Sequence, residues 1–480
     1  MQTQKLNTKR VIFVGFAFFF ITAFWQAYDA IVPLMLTNRF GLPQTASGFI
    51  MALDNVFALF MLPLFGALSD KTNTKFGKRT PFIFIGTICA IVSFVVLTLI
   101  DNIQLAKISD EIKAMYPVGV EDANQKSEML KAVAKKTLDI TLDNPAPLIL
   151  FIIALLVVLI SMATFRSPAV ALMPDVTVKP LRSKANAIIN LMGTAGGIFV
   201  LVLGIVFNTS GAENAYMKYT GYIIAVCALM AVGLAIFIFT VKEKKWNEEM
   251  LAEQAILDAN APKEETVAEE EEKLPKDKFY SLLLILASVA LWFTGYNAVT
   301  TKYSLYATNI LEQNFNITLI IAQAAAVVAY IPVGILASKF GRKKTILAGV
   351  LMLAVAFGGA IFITSSTSPV VMYLLFALAG IAWATINVNS FPMVVELAKG
   401  SNIGKYTGFY YTASMSAQVI TPILSGFLMD VINMRVLFPY ATIFVLLSFV
   451  TMLFVKHGNA QDLDGKSAKE LIADNFSNDD

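Results

Sequence analysis

The sequence predicts an all-α membrane protein of twelve transmembrane helices, arranged as two pseudo-symmetric six-helix halves. Three observations predict it. Of the 480 residues, 57% are hydrophobic and only 15% are charged, against about 45–50% and about 25% in soluble chains. The apolar residues fall in blocks of about 20 or more, the length a helix needs to cross about 30 Å of hydrocarbon. Short polar signatures of the first half also recur, in order, in the second. Lipid satisfies no backbone polar group, so spans of this length form a helical bundle.

The spans lie at roughly 11–37, 45–69, 81–101, 148–174, 184–208, 219–241, 279–300, 317–338, 344–364, 369–395, 405–429 and 436–456. The first keeps polar residues near its end and has no small-residue cleavage site, so it reads as a retained helix and not a signal peptide. The chain divides into an N-terminal bundle (1–241), a charged linker (242–278), a C-terminal bundle (279–456) and a tail (457–480). Residues 102–146 are an insertion whose "ISDEIKAMY" and "QKSEMLKAVAKKTL" have the patterning of a small helical hairpin. The linker holds 7 lysines and 12 acidic residues. It predicts a helix over 243–258 and a disordered, solvated tether beyond it. With the N-terminus inside, the short inner segments carry 16 lysines and arginines, and the short outer loops only Arg39, Lys218, Lys302 and Arg435. The positive-inside rule therefore puts both termini in the cytoplasm of a cell (plasma) membrane protein.

Several function classes are excluded. A net charge of +3 without a basic patch offers nothing to nucleic acid. Cys89 and Cys227 both fall in spans and form neither a disulfide framework nor metal-ligand spacing. The single histidine, His457, follows the last span, which removes histidine relays, zinc-protease motifs and Ser-His triads. No cofactor, metal site or enzyme activity is expected. The partners expected are the lipid bilayer and a small solute, and the chain is expected to act as a monomer.

The repeat is specific. Tyr28-Asp29-Ala30-Ile31 in the first span matches Tyr296-Asn297-Ala298-Val299 in the seventh. "GALSDKTNTKFGKRTPF" after the second span matches "GILASKFGRKKTIL" after the eighth. Arg166 and Asp175 in the fourth span share their nine-residue spacing with Asn387 and Glu396 in the tenth, and "RSKANAIIN" and "GKYTGFYY" follow. Two halves related by a parallel repeat are a common plan of secondary transporters.

The glycine-flanked basic loops after spans two and eight resemble the signature of the major facilitator superfamily. The longer first copy, with Arg166-x-x-x-Ala-Leu-x-x-Asp175 and "RSKAN", is similar to the sucrose-transporter-like branch, near the glycoside–pentoside–hexuronide:cation symporters. The resemblance implies the major facilitator fold and cation-coupled sugar uptake by alternating access. The alternative is a facilitator, or a proton-coupled exporter, of another small solute or drug. In the superfamily, helices one, four, seven and ten line the central cavity.

An ionised side chain at the bilayer centre costs about 2.5–3.5 kcal/mol, so intramembrane charges are functional candidates. Asp29 and Asp54 are the expected cation-coupling acids, with Arg166 as an inner substrate or gating contact. Their counterparts in the second half are neutral: Asn297, the Ala322-Gln323 step and Asn387. The charged half is thus expected to handle the cation and the amide-rich half a polyhydroxyl substrate. Trp25, Tyr28, Asn55, Tyr296, Asn297, Gln323, Trp383, Asn387 and Asn389 complete the expected binding set, with the rings as sugar platforms. The sodium-coupled melibiose carriers place two acids one turn apart on helix two. Here Ala58 follows Asp54 by one turn, so H+ is favoured over Na+.

The loops carry a second expectation. The resemblance implies that Gly66, Asp70, Gly77, Lys78 and Arg79, extended by Asp175 and Arg182, latch the outward-open state, the acid pairing with the basic loop and with the N-terminus of a facing helix. In the second half Gly334, Gly341, Arg342, Lys343 and Glu396 take these places, while Ser338 replaces the acid, so its latch should be wired differently.

Overall fold

The structure, a computed structural model, describes residues 6–120, 122–260, 275–395, 397 and 403–457. The first six spans are α1 (Thr8–Asn38), α2 (Gln44–Lys71), α3 (Thr80–Leu105), α6 (Ala146–Asp175), α7 (Arg182–Val206) and α8 (Thr220–Thr240). The insertion contributes α4 (Asp110–Ala114) and α5 (Ala123–Asp143), and the linker α9 (Glu243–Asn260). The last six are α10 (Lys276–Tyr306), α11 (Phe315–Phe340), α12 (Arg342–Ala360), α13 (Pro369–Val395), α14 (Ile403–Val431) and α15 (Leu437–Leu453). Among the described residues, eleven helices are long and apolar enough to cross a membrane, and α11 qualifies as a shorter apolar stretch over Phe315–Tyr330. Large apolar side chains such as Phe60, Phe239 and Leu374 stand exposed on these helices, as a lipid-facing surface requires.

The chain forms two compact units. One holds α1–α9 together with Ala307–Asn316; the other holds α10 and the chain from Ile317 onward. Within the first, α1 packs on α7 and α8, α3 on α6 and α8, and α2 on α6. Within the second, α10 packs on α14 and α15, and α12 on α13 and α15, while Gly380 of α13 meets the Ala322 backbone of α11. The two units therefore repeat one internal packing scheme, helix for helix. Close helix approach depends on missing side chains: a Cβ on Gly196 of α7 would run into the Phe19 carbonyl of α1.

The boundaries follow local chemistry. Asn7 caps α1 by accepting the Arg10 N–H at 3.2 Å, and Asp122 caps α5 by accepting the Gln125 N–H at 2.6 Å. Helix α10 runs beyond its expected end near residue 300 to Tyr306, and a π-helical turn, Ala307–Leu311, follows it. The polar "TTK" that suggested an end is absorbed. Thr301 donates to the Asn297 carbonyl at 2.7 Å, and Lys302 is fully buried, within electrostatic reach of Asp430.

Candidate functional site

Helices α1, α2 and α6 bring three intramembrane charges into one half-buried cluster. Asp29 lies within electrostatic reach of Asp54, and Asp54 of Arg166. The Asp54 carboxylate accepts the Asn55 backbone N–H at 2.6 Å and the Asn55 amide at 2.7 Å. The Arg166 guanidinium lies 5.7 Å from the centre of the Trp25 ring, a cation–π distance. Trp25 in turn meets Tyr28 edge-on, with centroids 5.4 Å apart. The Trp25 indole N–H and the Tyr28 hydroxyl are buried with no hydrogen-bond partner among the described residues.

Counting residues along straight helices sets Arg166 toward the inner side, well away from Asp29; the structure brings it into the acidic cluster. Trp25 is about 26 Å along α1 from Thr8, and Asp54 about 26 Å from the Lys71 end of α2. Arg166 is about 14 Å from the Asp175 end of α6. The long arginine side chain carries the charge to the Trp25 ring and into the field of Asp54.

The second unit presents a neutral counterpart. Tyr296 of α10 and Trp383 of α13 stack face to face, with centroids 3.6 Å apart and planes 5° apart. Beside them the Asn297 side-chain amide nitrogen is buried without a partner. Tyr330 of α11 and Asn387 of α13 are joined by a side-chain hydrogen bond, and Asn387 is exposed. Gln323 is half-buried on α11. Asn389 is different. It is buried and donates to the Thr385 carbonyl of its own helix at 2.9 Å, which is a helix-packing geometry.

At the end of the first unit where α1 begins, here the near face, the basic loop is tied on two sides. Arg79 donates to Asp175 at 2.8 Å and to the carboxylate of Asp70, and Lys78 pairs with Asp175 at 3.4 Å. Arg79 also reaches Ser69 and the Gly66 carbonyl. Burial works against the charge on Arg79; the bonds and fields of Asp175 and Asp70 outweigh it and raise its proton affinity. Arg182 is not in this network. It donates to the Thr177 and Pro174 carbonyls at 3.1 and 2.9 Å and closes the end of α6. In the second unit Lys343 donates to the Leu453 and Val455 carbonyls at 2.8 and 2.6 Å. Gly341 has φ +84°, and a Cβ on Gly334 would meet nothing. Arg342 begins α12. Glu396 and the Ser338 side chain lie outside the described residues.

Sequence reasoning missed the residue that completes this loop. Glu243, the first residue of α9, accepts the backbone N–H groups of Lys78 and Arg79 at 2.7 and 2.8 Å through one carboxylate oxygen. Its other oxygen accepts the Thr80 N–H at 2.7 Å and the Thr80 hydroxyl at 2.6 Å. It therefore caps α3 from the linker. Gly77, at φ +115°, makes room for it: a Cβ there would overlap the Glu243 carboxylate. The linker's first helix is consequently docked, with Arg10 on Glu249 at 2.6 Å and Asn247 donating to the Asp175 carbonyl at 2.5 Å. One signal was available, an acid two residues after the sixth span, but it stood among twelve acids of the linker.

Comparison with known proteins follows from this geometry. The family model described as Major Facilitator Superfamily matches residues 282–476, and that described as MFS/sugar transport protein matches residues 13–107. An uncharacterized MFS-type transporter of Methanocaldococcus jannaschii is 30% identical over 126 residues, 26% of this chain and 30% of that relative's length. The E. coli xylose transporter XylE in its inward-open conformation aligns over 97% of this chain and 98% of its own, with TM-score 0.61 and 16% identity. A bacterial homologue of the iron transporter ferroportin covers 94% and 99%, with TM-score 0.62 and 12% identity. Peptide transporter POT covers 93% and 93%, with TM-score 0.62 and 11% identity.

Proposed function

We propose that this chain is a member of the major facilitator superfamily, supported by the models that match residues 282–476 and 13–107, and that within it the protein is a proton-coupled sugar symporter working by alternating access. The observation that carries the reading is the division of chemistry between the units: Asp29, Asp54 and Arg166 in one, a neutral Tyr296–Trp383 stack with Asn297 in the other. With both acids ionised, two carboxylates face one guanidinium, and the cluster is one negative charge in excess. A bound proton balances it. Its release on the other side of the membrane couples the gradient to the cycle. The sodium-type pair of acids is missing because Ala58 follows Asp54 by one turn.

A sugar has apolar ring faces and a rim of hydroxyls. The Tyr296–Trp383 platform suits the first, and Asn297, Asn387 and Gln323 suit the second. The motif match to the sucrose-transporter-like branch favours a di- or oligosaccharide or glycoside, and the xylose-transporter likeness is in keeping with a sugar. The charge bias of the loops favours both termini in the cytoplasm.

The test is uptake of labelled disaccharides into vesicles, with and without an imposed pH gradient. Concentrative uptake should follow the gradient. Asp29→Asn and Asp54→Asn should each abolish gradient-driven accumulation while retaining part of the substrate exchange. Unchanged concentrative uptake in both variants refutes the assignment of the acids. Gradient-independent equilibration in the unmodified protein identifies a facilitator instead.

A further inference from the structure

We propose that a groove in the second unit, between α11 and α12, binds an anionic phospholipid, with an acyl chain along the groove and the headgroup on Lys344. The proposal does not depend on the identity of the solute or on its coupling. The groove encloses about 890 Å³, within the range of ligand sites, about 300–1,000 Å³. Exposed Val328 and Leu336 of α11 and Ala348 of α12 form its rim, and buried Ala329, Val333 and Thr385 its deep side. From Ala324 to Phe340 the lining follows α11 for about 24 Å. One leaflet gives an acyl chain about 15 Å, half of a hydrocarbon core about 30 Å thick. Such a chain fits in the groove over its whole length.

The internal repeat sets this groove apart from ordinary helix packing. With Gly66 placed on Gly334, Phe57, Phe60, Met61 and Phe65 of α2 give way to Ala325, Val328, Ala329 and Val333 of α11. With Gly77 placed on Gly341, Phe84 of α3 gives way to Ala348 of α12. Five large side chains become small ones, and all five small ones line the groove. The second register also puts Lys344 where the first half has Thr80. A positive charge therefore arrives at the same positions of the repeat where space is opened. Lipid tails are as apolar as leucine, so an acyl chain replaces the missing side chains without desolvating any polar group.

The charge at the mouth selects the headgroup. Lys344 lies at the end of the groove where α11 stops and α12 starts. Residues 339–344, "KFGRKK", hold four basic residues and no acid. Lys343 is committed to the Leu453 and Val455 carbonyls, whereas Lys344 is exposed and lines the groove. Basic pockets between membrane helices suit anionic headgroups, each basic residue near the surface adding to the attraction. An anionic phospholipid meets both demands at once, a chain for the apolar wall and a phosphate for the ammonium at its end. A zwitterionic lipid supplies the chain without the net charge.

The experiment uses full-length protein, delipidated in a neutral detergent and titrated with dioleoylphosphatidylglycerol or dioleoylphosphatidylcholine. Native mass spectrometry counts the bound lipid, and no substrate is needed. The parent should bind one phosphatidylglycerol at least fivefold more tightly than phosphatidylcholine, about the effect of one lysine beside an anionic headgroup. Lys344→Thr, which copies the first half, should remove that preference and leave phosphatidylcholine binding within twofold. Ala325→Phe with Ala348→Phe, again first-half residues, fills the groove and should lower the affinity for both lipids at least tenfold. Unchanged affinities in the filled variant overturn the groove, and an unchanged preference in Lys344→Thr overturns the headgroup assignment. Where the filled variant fails to fold, Lys344→Thr and the milder Ala325→Leu decide. A dimer of the parent that filling the groove dissociates makes this face an interface between copies and overturns the proposal.

Discussion

Replacing Glu243 tests whether the linker helix is structural to the first unit or merely follows it. The carboxylate is buried and accepts four hydrogen bonds, from three consecutive backbone N–H groups and one hydroxyl at the start of α3. Hydrogen bonds to a charged group contribute about 1.5–3 kcal/mol each, but these four share one acceptor group and are not additive. A helix cap alone is worth about 0.5–2 kcal/mol, and a partly buried charge at a helix terminus adds up to about 2. Glu243→Ala should therefore cost about 3–5 kcal/mol, near the upper end for single substitutions. Glu243→Gln keeps the shape but turns an amide nitrogen toward donors, and should cost about 2 kcal/mol. Thermal unfolding of the purified protein reads the total. Hydrogen exchange of a peptide spanning residues 76–82 reads the local effect, since the freed amides must lose protection. Gly77 supplies a control on the mechanism. Gly77→Ala adds a Cβ into the Glu243 carboxylate and strains a backbone at positive φ by about 1–3 kcal/mol. In the double variant the overlap vanishes and the strain remains, so the combined loss should fall short of the sum by about 1 kcal/mol or more. A Glu243→Ala cost below about 0.5 kcal/mol, or strict additivity with Gly77→Ala, refutes the reasoning.

Three further outcomes follow from the same coordinates. Asp70→Ala should lower the unfolding temperature only slightly, because the Asp70 side chain in its pair with Arg79 is 60% exposed and an exposed pair is worth about 0–1 kcal/mol. Arg39→Met should greatly lower folded yield, because Arg39 and Asp101 are both 0% exposed and 3.5 Å apart, and breaking a buried pair costs about 3–5 kcal/mol; Arg39→Met with Asp101→Leu should recover part of it. Lys343→Ala should cost about 1–3 kcal/mol, read as a lowered unfolding temperature, since it removes a charged donor from two carbonyls at the end of α15.

Much of this architecture is legible because membranes enforce a simple code. Each helix must be long and apolar, and the repeat shows through because Asp29 and Asn297, or Gly77 and Gly341, hold the same places in the two halves. The expected association of Asp29 with Asp54 needed only depth counting, and the structure brings them within electrostatic reach. What sequence cannot carry is which polar group meets which. Arg39 and Lys302 stand at span ends and count as outer-loop charges, yet both are 0% exposed. Arg39 is drawn in by the Ala215 and Met217 carbonyls, each at 2.5 Å, a long-range demand with no local signal. Arg166 reaches the Trp25 ring, 5.7 Å away, and the field of Asp54 through its side chain, a partner choice that counting residues along a helix does not give. Glu243 was hidden by its neighbours: in a run of twelve acids, composition predicts a solvated tether, and only the geometry of the α3 N-terminus selects one of them.

The two basic loops, which look alike in sequence, solve one mechanical problem with opposite chemistry. A loop between the second and third spans must stay docked on its own half. In the first unit the backbone N–H groups of Lys78, Arg79 and Thr80 hold a carboxylate that follows the sixth span by two residues. In the second unit the Lys343 ammonium holds the carbonyls of Leu453 and Val455, at and just beyond the end of that unit's sixth span. In both, the loop is tied to the chain at or just beyond the sixth span of its own half, once by donors meeting an anion and once by a cation meeting a helix C-terminus. Both pairings complement the helix dipole they touch. The replacement of an acid by Ser338 in the second copy therefore need not leave that loop loose. It moves the anchor from a side-chain carboxylate to a helix end, which no substitution of a single side chain on α15 would remove.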